Sequence, residues 1–172
     1  VTAAATSLVL VAAACTSAPE PAPAAKTAWA DRLCAAVADA NAALATAPPP
    51  IDTGDPAAVK NTLSAYLGTL TEGLGRAVEA VRGLGQSPID GGDRVSRTAG
   101  DAYEGLRRPL TEAKTVLDGA QDADTVARVV SEIAPRLEAV AAADPLAVDG
   151  DSDFTHWAEQ APRCAEVPAL RR

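Results

Sequence analysis

The stretch DPAAVKNTLSAYLGTLTEGLGRAVEAVRGLG, residues 55–85, decides the fold. Asp55 suits a helix N-cap, because its carboxylate can accept a bond from a free amide of the first turn. Pro56 suits the first helical position, where no amide is needed. Behind them Val59, Leu63, Tyr66, Leu67, Leu70, Leu74, Val78, Val81 and Leu84 recur at spacings of three and four, the period of one helical face. The spacing predicts a long amphipathic helix. Such a helix is stable only if its apolar stripe is buried, so it needs partners of the same kind.

The rest of the chain supplies them. Trp29, Leu33, Val37, Ala40 and Leu44 mark a preceding helix that Pro48-Pro49-Pro50 terminates. Val95, Ala99, Tyr103, Leu106, Leu110, Ala113 and Leu117 mark another, from about Gly91 to a stop at Asp118-Gly119. A further helix begins near Asp124 as its cap, continues through Val126, Val129, Val130, Ile133, Leu137 and Val140, and ends at Asp144-Pro145. No segment alternates with a strand's period. The expected fold is all-α, an up-down four-helix bundle, because short Gly, Pro and Asp turns leave the four stripes only one another to pack on. A short C-terminal helix near Asp153 to Ala161 presents Phe154, Trp157 and Ala161 on one face.

Two local patterns carry structural expectations. Ala36, Ala40, Ala43 and Ala47 share one helical face, and Ser64, Gly68, Thr71 and Gly75 share another, so close helix packing is expected along both. Glycine costs about 1 kcal/mol relative to alanine inside a helix, which gives Gly68, Gly73 and Gly75 a reason to be at a close approach. Pro109 and Pro135 are equally far in sequence from Asp122, the centre of the turn between their helices. In an antiparallel pair they stand at one height and kink together, with small Gly105 and Ser131 four residues back. A ligand cleft, if the bundle has one, is expected at this level, lined by Tyr103, Leu106, Pro109, Val130, Ile133 and Pro135.

Composition and inventory narrow the chemistry. A formal charge of −8 makes the surface acidic and argues against nucleic acid as a partner. His156 is the only histidine, so histidine-dependent nucleophile systems and zinc sites lack parts, and no catalytic residue, metal or cofactor is assigned. Asp149-Gly150-Asp151-Ser152-Asp153 begins like a calcium loop but has Phe154 and Gln160 where the loop requires Gly and Glu. It reads instead as a turn in which Ser152 or Asp153 caps the next helix. Gly73-Leu74-Gly75 and Gly83-Leu84-Gly85 follow no strand and are not phosphate loops.

The N-terminal region sets the address. Ser7 to Ala14 is an apolar run too short to span a bilayer, without Lys or Arg before it, and it leads directly into Ala12-Ala13-Ala14-Cys15. Either ordinary signal peptidase or the lipoprotein kind can cut before Cys15. Ordinary cleavage leaves three cysteines, an odd number for a secreted protein, whereas lipidation of Cys15 leaves two that can pair. Here the chain resembles a bacterial lipoprotein precursor, with Ala12-Ala13-Ala14-Cys15 looking like a lipobox in which Ala12 replaces the usual Leu. Twelve Arg against three Lys, many Ala and no Met are similar to the small secreted lipoproteins of actinobacteria. The resemblance implies a signal peptide over residues 1–14, acyl chains on Cys15, a Pro/Ala-rich spacer over 15–26 and one helical domain over 27–172. The protein is then expected on the extracytoplasmic face of the cell membrane, held by its lipid anchor and acting as a binding or structural module of the envelope. Its partner would be an envelope protein or a small apolar ligand; a carrier of such a ligand is the alternative reading. In an up-down bundle the C-terminal tail can return beside the first helix and bring Cys164 to Cys34, with Trp29 and Trp157 flanking the joint. That bridge closes a loop of about 130 residues and adds roughly 5 kcal/mol in the chain-entropy picture.

Overall fold

In the computed structural model, which describes residues 20–47, 49–50, 54–142, 146 and 153–170, five α-helices follow one another with no strand among the described residues. They are α1 (Pro23–Leu44), α2 (Pro56–Arg82), α3 (Gly92–Gly119), α4 (Ala123–Ala142) and α5 (Asp153–Ala158). Two 3₁₀ turns, Pro162–Glu166 and Pro168–Leu170, complete the tail. The leader over 1–14, Cys15 and the acidic turn from Asp149 to Ser152 lie outside the described residues.

The helix ends follow local chemistry. Asp55 caps α2 as its sequence suggests, Oδ1 accepting from the Ala57 amide at 2.8 Å, with Pro56 behind it. The cap of α4 is Asp122, not Asp124. Its Oδ1 accepts from the Thr125 amide at 2.7 Å and its Oδ2 from the Thr125 hydroxyl at 3.0 Å, while Asp124 lies inside the first turn, where its charge suits the helix dipole. At the other end of the chain, α1 starts at Pro23, so Pro23 to Lys26 belong to the bundle and not to the spacer. Proline fixes φ in the helical range, and this one opens a helix as readily as it would extend a linker. Gly83 caps α2 in the right-handed region, and left-handed Gly85 (φ 71°) in the connection and Gly91 (φ 74°) as the α3 N-cap adopt a conformation that costs other residues a Cβ clash.

Contacts fix the up-down order. Ala43 meets α2 at Gly73, and the Tyr66 hydroxyl donates to Thr46 O at 3.1 Å, so α1 and α2 run antiparallel. Between α2 and α3, Val81 faces Gly100, Gly75 faces Arg107 and Gly68 faces Lys114, again antiparallel. The principal packings run from α2 to α1, α3 and α4 and from α3 to α4. The tail lies on α1. The core is continuous: Leu67, Leu70 and Leu74 of α2 are fully buried with Leu33 and Val37 of α1, Tyr103, Leu110 and Leu117 of α3, Ile133 of α4, and Phe154 and Val167 of the tail. Each large aliphatic or aromatic side chain so buried contributes about 1.5–3 kcal/mol relative to exposure.

The small-residue faces do two different things. A Cβ placed on Gly73 would fall 2.5 Å from the Ala43 Cβ, so here the two helices touch closely and only glycine fits without a shift. Gly68 and Gly75, by contrast, lie beneath side chains. Their missing Cβ atoms leave a trough for the stems of Lys114, whose Cε would be 3.4 Å away, and Arg107, whose Cδ would be 3.8 Å away. Pro109 and Pro135 lie within α3 and α4, and both helices continue through them. A Cβ on Gly105 would meet nothing within 4 Å, so Pro109 places no steric demand on that side chain.

These differences predict opposite effects of one substitution. Gly73→Ala should lower stability by about 1–3 kcal/mol through overpacking. Gly105→Ala should raise it by about 0.5–1 kcal/mol through helix propensity. Urea denaturation of both variants checks the pair, and an unchanged midpoint for Gly73→Ala would mean that α1 and α2 separate freely.

Candidate functional site

The joint between α1 and the tail brings together more of the chemically distinctive residues than any other described region. Cys34 and Cys164 form a disulfide with Cα atoms 4.9 Å apart across a separation of 130 residues. Both are buried because helix periodicity puts Cys34 on the same inward face as Ala30 and Val37, and the 3₁₀ turn aims Cys164 at it. The Trp29 ring meets Phe154 edge-on at 6.4 Å, and both are fully buried. Polar contacts surround the sulfurs. The Arg163 amide donates to Asp31 Oδ1 at 2.8 Å, and its guanidinium reaches Asp39 at 3.2 Å and Glu166 at 3.3 Å. Trp157 is half-buried beneath Lys26, whose Nζ lies 5.3 Å from the ring centre and 3.1 Å from Glu20. His156 is exposed, edge-on to Trp157 at 5.0 Å and beside Gln160 Nε2 at 3.2 Å.

The residues expected to line a cleft between kinked helices do not share one open surface. Tyr103 and Ile133 are buried in the core, Leu106, Pro109 and Val130 are half-buried, and Pro135 is exposed. The described grooves lie elsewhere. One of about 490 Å³ runs between α1 and α2, floored by Ala36, Ala43, Gly73 and Ala77 and edged by Asp39 and Arg76. Its walls are low because the close contact at Gly73 requires small side chains around it. A second of about 380 Å³ lies over Ser64, Gly68 and Lys114, and a third of about 490 Å³ separates the starts of α2 and α4 near Asp55, Lys60 and Asp122.

The Ser64 groove holds a serine, a lysine and a carboxylate within bonding distance. Lys114 Nζ donates to Asp118 Oδ2 at 2.6 Å and to Ser64 Oγ at 3.2 Å, while the Ser64 hydroxyl donates to Asp118 Oδ1. The hydrogen bond from Lys114, then that from the Ser64 hydroxyl, holds the Asp118 carboxyl below its usual range. The trio is a clasp between α2 and α3. Arg107 does the same to Glu104 one stretch along, first by its hydrogen bonds at 2.8 and 3.0 Å and then by its charge. Lys60 Nζ, donating to Ala120 O at 2.7 Å, closes the row.

Among the described residues no group of three or more His, Cys, Asp or Glu side chains gathers where a metal could sit. No described helix is long and apolar enough to cross a membrane. Comparison with family models, with curated proteins and with solved structures found no match. The Cys34–Cys164 pairing was legible from cysteine parity and topology. The Ser64–Lys114–Asp118 clasp was not, because it depends on the register of α2 against α3; the stripe holding Ser64 and Gly68 was its visible trace.

The lowered carboxylates give the fold an acid limit. Asp118, Glu104 and Asp122 all lie below their ordinary values, Asp122 chiefly through the Thr125 amide and then its hydroxyl. A group depressed in the folded state contributes stability that is complete above its unfolded value and lost as pH falls through the folded one. Thermal midpoints should therefore stay level from pH 7 to about pH 5 and fall below about pH 4. Asp118→Asn should flatten part of that fall, and an identical acid profile would exclude the clasp as its source.

Proposed function

We propose that this protein is a lipid-anchored module of the cell envelope, tethered through Cys15 on the extracytoplasmic face, that binds or organises other envelope components and catalyses no reaction. The observation that carries the reading is the buried Cys34–Cys164 bond. Such bonds persist in oxidising compartments and are rare in cytosolic proteins, so its position in the core fits a chain that finishes folding after export. The run of Ala12-Ala13-Ala14-Cys15 supplies the route and the third cysteine its use. Pro23 opens α1 only eight residues after Cys15, so the anchor would hold the start of α1, and the tail clamped to it, close to the bilayer. An extended tether of that length reaches about 25–30 Å. The acidic surface suits a protein partner better than nucleic acid or anionic lipid. Of the two partner classes, a protein is favoured over an enclosed apolar ligand, since Tyr103 and Ile133 fill the core where a carrier's cleft would lie.

Intact mass of the protein extracted from membranes of an expressing bacterium tests the reading. Expected are acyl chains on Cys15 after loss of residues 1–14, and release into the soluble fraction on Cys15→Ser. An unacylated Cys15 in the mature chain, with no membrane-bound pool, would overturn it.

A further inference from the structure

We infer that residues 153–170 form a redox latch, a segment that detaches as a unit when the Cys34–Cys164 bond is reduced and leaves the α2–α3–α4 body folded. The division follows from the packing. α2, α3 and α4 pair with one another, whereas α5 and the first 3₁₀ turn make their principal contacts with α1. The latch is built from a six-residue helix and turns of five and three residues, pieces too short to keep their shape undocked. Its noncovalent hold is the burial of Phe154, Ala158, Ala161 and Val167 against α1 and the bonds of Arg163 to Asp31 and Asp39. The Arg163–Asp39 pair is solvent-exposed and contributes little. The covalent bond at the middle of the segment is what keeps these weak contacts at high effective concentration.

Burial makes the latch gated. Cys34 is 0% and Cys164 3% exposed, so a thiolate reaches neither sulfur until the tail swings away around the intact bond. A dithiol reductant then attacks one sulfur, forms a mixed disulfide and releases the other as a thiolate. The reductant's second thiol resolves the mixed disulfide, leaving Cys34 and Cys164 as thiols and the reductant as a cyclic disulfide; two electrons and two protons pass to the protein. Opening strips Phe154 from the Trp29 edge and uncovers the seam of Trp29, Ala30 and Cys34 on α1. Reoxidation closes it.

The test uses the oxidised full chain carrying Trp157→Phe, so that Trp29 is the sole indole, treated with dithiothreitol and followed by segment-resolved hydrogen exchange and tryptophan emission. Expected are reduction at least about a hundredfold slower than in the urea-unfolded chain, then exchange at least about tenfold faster across 153–170, unchanged protection in α2 and α3, and a red shift of Trp29. The Cys34→Ser, Cys164→Ser double variant should show the same open tail without reductant. A tail that stays protected after reduction or in the double variant would overturn the latch. So would loss of protection in α2 and α3 together with the tail, which would make the bond a staple of the whole bundle.

Discussion

α2 has apolar residues to bury and three neighbours to bury them in. Its Leu67, Leu70 and Leu74 are buried, and among the described residues α2 packs on each of α1, α3 and α4. The order of the bundle follows from that constraint. α1 approaches closely where Gly73 admits Ala43, and the stems of Lys114 and Arg107 from α3 lie over Gly68 and Gly75. Gly73, which weakens α2 as an isolated helix, is thus a position that lets it take α1 as a partner.

The tail answers a different need. α1 is rich in alanine and has apolar residues around much of its circumference, so one neighbour cannot cover it. The C-terminal segment supplies Phe154 and Val167 to the uncovered side, and the Cys34–Cys164 bond keeps a segment of short pieces in place. Few aromatics are available to this chain, and Trp29, Phe154 and Trp157 are concentrated at this one joint. The proposed envelope role and the proposed latch both begin here: a lipid anchor on Cys15 would lead into α1, and the bond that suits export is also the one whose reduction would uncover it.

Charges in the structure act mostly as fasteners. Along the α2–α3 seam Lys60 reaches the Ala120 carbonyl and the Lys114–Asp118 pair reaches Ser64, while within α3 Arg107 pairs with Glu104; these contacts lower Asp118 and Glu104. The α1–α2 groove, floored by small side chains and edged by Asp39 and Arg76, is a surface of mixed character and modest depth.

Helix number, type and order were readable in the chain, because burial of a stripe at a 3.6-residue period is a local property that each segment states for itself. The cap at Asp55 and the start of α2 at Pro56 were readable because cap preference is local, and the pairing of Cys34 with Cys164 because an up-down bundle can return the tail beside α1. Tertiary structure decided what depends on register. It chose Asp122 over Asp124 as the α4 cap, carried α1 back to Pro23 and buried Tyr103 and Ile133 in the core. It also set Ser64 against Asp118 and turned one glycine face into a helix contact and another into a trough for long side chains. A sequence specifies which face of a helix is apolar; which residue of a neighbour comes to rest on it depends on axial offset, and that is set only when all the helices pack at once.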